Sequence, residues 1–235
     1  MAFPYFYIPF IDSLQTEFTL DENTSKHAIQ VLRMKKGDAM QLTDGKGNLL
    51  TATIMDDHKK KCIVKKKENF YKDPDIKKIT IAISLLKNGS RFEWFLEKAT
   101  EIGVAEIIPL ICERTEKQHF RFERMKNILV SAMLQSQQAW IPVITEPLDF
   151  IKVVHQSNHD QKFIAHCIQE NKTNIAGILN DNRSSQIILI GPEGDFTNEE
   201  IELAIQHHFV AVALGETRLR SETAAIVAAT ILKFF

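Results

Sequence analysis

The chain has 235 residues, 44% of them hydrophobic and 25% charged, with a formal charge of −1, which is an ordinary globular composition with room for one large domain or two modest ones. Near-neutrality gives no compositional sign of a nucleic-acid binder; the small positive excess lies in the first half. No apolar run reaches the length of a membrane span, because Lys87, Lys98 and Arg114 interrupt the longer candidates, and Met1-Ala2-Phe3-Pro4 lacks the basic and apolar regions of a signal peptide, so a soluble cytoplasmic protein is expected. Cys62, Cys112 and Cys167 show no C-x-x-C spacing and are expected to be small core residues. The adjacent His207 and His208 cannot share one ligand face of a helix, and no metal site is expected.

Residues 1–72 read as a small, mainly β module. Tyr5–Ile8, Ala39–Thr43, Leu49–Met55 and Cys62–Lys67 are the expected strands, with Asp44-Gly45-Lys46-Gly47 as a tight turn. One helix interrupts them, with Ser25 as its cap, Ala28, Val31 and Leu32 as its apolar stripe, and Gly37 as its end. Short strands with a single helix predict a compact barrel. Lys59–Lys61 and Lys65–Lys67 flank a strand, either as edge charges that oppose aggregation or as a basic surface.

The polar stretch from Asn69 to Lys78, which contains a proline, reads as the linker to a second domain, residues 73–235. Ile79–Leu86 is an apolar strand of the parallel-sheet type, and a loop through Lys87 leads to a helix at Arg91–Ile102. That helix buries Phe92, Phe95, Leu96 and Ala99, and stops at Gly103. For Arg91 and Lys98, pairing with Glu97, Glu101 or Glu93 along the helix is the competing reading to a ligand contact. Ala105–Ile111 is the next strand, Phe122–Gln138 a long helix, and Lys162–Cys167 a further strand ending near Ala165 and His166. Strand and helix alternate about five times from residue 79, which defines an α/β domain with a parallel sheet.

Two strand–loop–helix units close the chain. The strand Gln186–Ile190 leads into Gly191-Pro192-Glu193-Gly194-Asp195-Phe196, and Thr197 with Glu200 forms a capping box for the next helix. Phe209–Ala213 leads into Leu214-Gly215-Glu216-Thr217-Arg218-Leu219-Arg220, and the final helix starts at Ser221 as N-cap, with Glu222 and Thr223 in its first turn. The pair predicts adjacent parallel strands with both loops at their carboxyl ends, where ligands of α/β sheets bind. There is no G-x-G-x-x-G after a first strand and no G-x-x-x-x-G-K-[ST], so neither a dinucleotide nor a nucleoside triphosphate site is indicated.

IGPEGDF followed by LGETRLRSETAA resembles the C-terminal signature of the SPOUT class of RNA methyltransferases, and most closely the ribosomal RNA small subunit methyltransferase E family. LLKNGSRFEWFLEKATEIGVAEIIPL, the triplet Glu113-Arg114-Thr115, and the helix from His27 through Val31-Leu32-Arg33 to Gly37 extend the similarity over most of the chain. One helix departs from the family pattern: Leu134 stands in place of an acid and Gln138 in place of an arginine. The resemblance implies a PUA-like barrel followed by a domain with a deep trefoil knot, and a homodimer. The activity it implies is S-adenosylmethionine-dependent methylation of uridine N3 in 16S ribosomal RNA of the small subunit.

On this resemblance the cofactor is held by Ala165, His166, Ile190, Gly191, Glu193, Gly194, Leu214, Gly215, Leu219, Ser221, Thr223 and Ala224, with adenine on main-chain groups around Leu214, Leu219 and Ala224. Arg220 is the catalytic candidate and Arg218 its runner-up. Arg33, Lys35, Lys87, Arg91, Arg114 and Arg218 are the RNA-contact candidates; for Arg33 and Lys35 a solvated helix face is the competing reading. Glu193 is either a proton acceptor or a tie for backbone amides. The competing functions are a sibling enzyme methylating ribose 2′-hydroxyls and a non-catalytic RNA-binding assembly factor.

Overall fold

A computed structural model describes residues 3–12, 14–116, 119–168, 173–179 and 185–235. The chain forms two compact units, one of Met1–Pro74 with Val130–Ile141, the other of Asp75–Leu129 with Pro142–Phe235.

The first unit is a five-stranded sheet in the order β1 (Tyr5–Tyr7), β3 (Ala39–Thr43), β4 (Asn48–Asp56), β5 (Ile63–Tyr71), β2 (Glu17–Thr19). Only the β1–β3 pairing is parallel. Alternation along β4 buries Leu50, Ala52 and Ile54, which join Phe6, Phe18, Met40, Leu42 and Val64 in one core. Each fully buried large apolar side chain contributes about 1.5–3 kcal/mol.

Three local expectations need correction here. Asp21, not Ser25, caps helix α1 (Glu22–Lys26), accepting from the amides of Asn23 and Thr24. Ser25 is buried inside it, donating to the Leu20 carbonyl and accepting from the Cys62 amide. The helix then widens into a π turn over His27–Val31, with Val31 and Leu32 in solvent at 67% and 45% exposure, Ala28 in the core and Ile29 packed against it. Strand β5 runs on to Tyr71, so the expected linker begins as paired strand.

The sequence divides once, near residue 72, but Val130–Ile141 returns to the first unit. The Gly47 amide donates to the Ala139 carbonyl, the Ile141 amide to the Gly45 carbonyl, and the Trp140 indole to the Lys72 carbonyl. Trp140 packs edge-on against Tyr71.

In the second unit the strands are β6 (Lys78–Ser84), β7 (Glu106–Ile111), β8 (Val143–Ile144), β9 (Leu148–Asp149), β10 (Gln161–Ala165), β11 (Thr173–Asn174), β12 (Ser185–Ile190) and β13 (Val210–Ala213). They form a parallel sheet in the order β11-β13-β10-β12-β6-β7-β8, with β9 also on β7. Helices α4 (Phe150–Gln156) and α5 (Asn198–Gln206) pack Phe150, Val153, Ile201 and Ala204 against Ala82, Leu110 and Leu189. Helices α2 (Gly89–Ile102) and α6 (Ser221–Phe234) pack on one another, and α6 on β6 and β12. The long helix α3 is shorter than its periodicity predicts, Phe122–Gln135.

The two loop-bearing strands are not neighbours. β10 lies between β12 and β13, with Ala165 opposite Ile190 on one side and Val212 on the other. The loops after all three strands therefore leave the sheet at one level, at its carboxyl edge.

Candidate active site

Two adjoining cavities, of about 300 and 360 Å³, open among these three loops. Ala165, Leu219, Ala224 and Arg218 line both; Ile190, Gly191, Glu193, Arg220 and Ser221 line the first; His166, Leu214 and Gly215 the second. Of the expected cofactor residues, only Gly194 and Thr223 lie outside the walls. Residues that sequence reasoning missed also line them: Pro192, Asp195, Glu216, Thr217 and Cys167. Cys167 is exposed, contrary to the core expected of it, whereas Cys62 and Cys112 are buried, and burial pushes their thiols up to about 11 and about 12.

Each glycine of the walls has its own reason. A Cβ on Gly191 would stand 3.1 Å from the Phe196 ring, so this glycine lets the loop fold tightly on itself. Gly215 has φ 148° and open space where a Cβ would stand, so its requirement is conformational.

The start of α6 also differs from expectation. Arg220 is the N-cap residue and makes no side-chain cap bond, while Ser221 is the first helical residue. The first amides of a helix have no intrahelical acceptor, and with no side-chain cap from Arg220 those of Ser221, Glu222 and Thr223 are uncapped among the described residues, Ser221 lining the cavity. The Ala224 amide donates to the Arg220 carbonyl at 2.7 Å, which removes it as a partner for adenine; Ala224 offers an apolar wall.

Arg218 and Arg220 are exposed on the cavity wall, and neither has an ion-pair partner among the described residues. The other cations differ. The Lys87 ammonium sits 2.7 Å from Glu116, which raises its pKa, and the Lys87 amide donates to Glu193 at 3.1 Å. Arg91 does not pair along its own helix; its Nε lies 3.6 Å from the carboxylate of Glu222, while Lys98 pairs with Glu101 at 2.7 Å. Arg114 donates through Nη1 to the carbonyls of Gly194 and Phe196. In the first unit, Arg33 and Lys35 are exposed, and Arg33 has φ 56° as the chain leaves the π turn.

Thr197 and Glu200 form the expected capping box, and Glu200 also accepts the Glu113 amide. Among the described residues no group of three or more His, Cys, Asp or Glu side chains is arranged to hold a metal ion, and no helix is long and apolar enough to cross a membrane.

A parallel sheet whose carboxyl-edge loops enclose a cavity is where ligands of α/β proteins bind, and the sequence defines the class of protein. The profile of an RNA methyltransferase domain matches residues 73–233, and that of an RNA methyltransferase PUA domain matches residues 20–67. The ribosomal RNA small subunit methyltransferase E of Synechocystis sp. is 32% identical, covering 92% of this chain and 72% of its own. The protein of that name from Rickettsia conorii is 30% identical over 93% and 91%. The solved ribosomal RNA small subunit methyltransferase E of Neisseria gonorrhoeae, bound to S-adenosyl methionine, superposes with a TM-score of 0.88 at 28% identity, covering 97% of this chain and 95% of its own. The chain belongs to the ribosomal RNA small subunit methyltransferase E family of RNA methyltransferases.

Proposed function

We propose that this protein transfers the methyl group of S-adenosylmethionine to N3 of a uridine in the 16S ribosomal RNA of the small ribosomal subunit. The observation that carries this reading is the pair of guanidiniums without an ion-pair partner among the described residues, Arg218 and Arg220, on the wall of a cavity at the ends of β10, β12 and β13. Its dimensions lie in the range of small-molecule sites. Its walls suit a nucleoside carrying an amino-acid arm: apolar surfaces at Ala165, Ile190, Leu219 and Ala224, uncapped amides at the start of α6, and carboxylates at Glu193, Asp195 and Glu216.

When bound, the cofactor supplies a methyl group already activated on a sulfonium. What remains for the chain is to align the uracil and manage the N3 proton. Loss of that proton to solvent water spreads negative charge onto the flanking carbonyl oxygens, and a fixed cation beside them lowers the barrier. Arg220 takes this role, with Arg218 as its neighbour on the same loop. Glu193 serves as the tie for the Lys87 amide, which supports its loop-holding reading over that of proton acceptor.

In this reading residues 1–72 hold RNA through Arg33 and Lys35, and residues 73–235 carry the chemistry. Lys87 exchanges Glu116 for a phosphate when RNA arrives; Arg91, held by Glu222, is the weaker contact. The trefoil knot, a homodimer and a cytoplasmic site of action complete the proposal. Its test is methyl transfer from labelled cofactor to small ribosomal subunits lacking the modification, followed by nucleoside analysis. N3-methyluridine is expected; a 2′-O-methylated nucleoside or no transfer would overturn it.

A further inference from the structure

The loop after β12 is held by more than its own turn. Arg114 Nη1 donates to the carbonyl oxygen of Gly194 at 2.8 Å and to that of Phe196 at 3.3 Å. Its aliphatic stem lies against Gly194, with Cδ 3.4 Å from where a Cβ would stand. Between those carbonyls is Asp195, at φ 64°, a left-handed conformation that Asp tolerates and that its carboxylate supports by accepting the Phe196 amide at 2.9 Å. Asp195 lines the cavity, and its carboxylate accepts the Cys167 amide at 2.7 Å. The arginine thus holds the peptide group that precedes Asp195 and, one residue beyond, the carbonyl of Phe196, so it spans the residue that ties the β12 loop to the β10 loop.

The rest of the triplet fixes the arginine's own backbone. The Glu113 amide donates to Glu200 at 2.9 Å. The buried Thr115 hydroxyl accepts from the Cys112 amide at 2.8 Å and lies 2.9 Å from the Ser84 hydroxyl. Backbone, guanidinium and hydroxyl of three consecutive residues make three separate ties, and the only one that reaches the cavity loop is the guanidinium. Here Nη1 is committed to two main-chain carbonyls, which fixes the guanidinium against the β12 loop instead of leaving it free to swing to a phosphate.

We propose that Arg114 is a positioning residue for the cofactor cavity: it shapes the Gly194–Phe196 turn, and through Asp195 the junction with the β10 loop, rather than contacting RNA. The proposal rests on the cofactor reading of the cavity given above. It is tested without RNA, on the full chain, by calorimetric titration with S-adenosylmethionine and by amide hydrogen exchange across residues 191–197. The proteins compared are wild type, Arg114→Ala, Arg114→Lys and, as a control on the exposed side of α4, Lys152→Ala.

Loss of charged hydrogen bonds predicts cofactor affinity weaker by about ten- to a hundredfold in Arg114→Ala, with faster exchange at Asp195 and Phe196. Arg114→Lys, which reaches one carbonyl but not both, recovers part of the loss and decides the matter if the alanine variant fails to fold. Lys152→Ala binds as wild type does. Unchanged cofactor affinity in Arg114→Ala, with or without faster loop exchange, overturns the proposal. If wild type itself binds no cofactor, the functional reading fails. The exchange arm still judges the brace, which is refuted by loop amides as protected in Arg114→Ala as in wild type.

Discussion

The guanidinium Nε of Arg91, at the start of α2, lies 3.6 Å from the carboxylate of Glu222, the second residue of α6, whose side chain is 10% exposed. This pair joins the helix that follows β6 to the one that borders the cavity. Removing Arg91 strands a buried carboxylate, whereas removing the charge of Glu222 strands only a half-exposed arginine. Arg91→Ala is therefore expected to cost about 1–3 kcal/mol in urea denaturation, and Glu222→Gln less. The double variant is expected to lose less than the two single losses together; strict additivity would mean the 3.6 Å contact is not an interaction.

His159 predicts a pH dependence of the opposite edge of the sheet. Its Nε2 lies 3.0 Å from the Thr80 hydroxyl, which donates to Glu106, and its Nδ1 lies 3.0 Å from the Ser157 hydroxyl. Burial lowers its pKa below the usual 6.5, against the pull of Glu106 and Asp160 and with a smaller push from Lys162. The fold thus favours the neutral ring. Its contribution is complete above about pH 6.5 and is lost as pH falls through the depressed folded value. A melting temperature that drops from pH 7.5 to 5 in wild type, and drops less in His159→Gln, is the expected result. Equal slopes would remove His159 as the cause.

Much of this was legible in the sequence where a residue type has one dominant physical use. Gly103 stops α2 with φ 91°, and the Thr197–Glu200 capping box forms as read. The apolar runs at Ile79 and Ile187 become central parallel strands. The loops of the cavity were found because glycine, arginine and a helix start are local signals. What was missed depends on distant partners. Nothing near Arg114 announces that its acceptors lie 80 and 82 residues away. Ser25 is a good cap by type, but Asp21 comes earlier with a carboxylate that satisfies two amides. The insertion of β10 between β12 and β13 cannot be read from periodicity, which sets which face of a strand is buried and not which strand is its neighbour.

Gly47 has φ 93°, and a Cβ there would stand 2.7 Å from both the Lys72 carbonyl oxygen and the Trp140 ring. Neither obstacle is a flexible chain end, since the oxygen is backbone and the indole is tied to that same carbonyl. Gly47→Ala is expected to cost about 2–3 kcal/mol, from the strained conformation and the displaced contact together. Trp140→Ala removes one obstacle but also a large half-buried ring, so it destabilises the chain on its own. A Gly47→Ala variant that melts with wild type would show that the turn relaxes freely.

Arg220→Ala separates catalysis from binding. Its guanidinium is on the cavity wall, and its backbone is the N-cap of α6, which any L-residue of similar φ and ψ can supply without a side-chain cap. The fold is therefore expected to survive, with a melting temperature close to wild type. If the charge acts on the developing uracil anion, kcat falls by about 10²–10³ while cofactor affinity changes little. Arg218→Ala, two residues further from the helix start, is expected to lose less in kcat and more through the KM for RNA. Single-turnover transfer rates at saturating cofactor and subunits decide it. A loss confined to KM in Arg220→Ala would assign that arginine to holding RNA and leave the anion to Arg218.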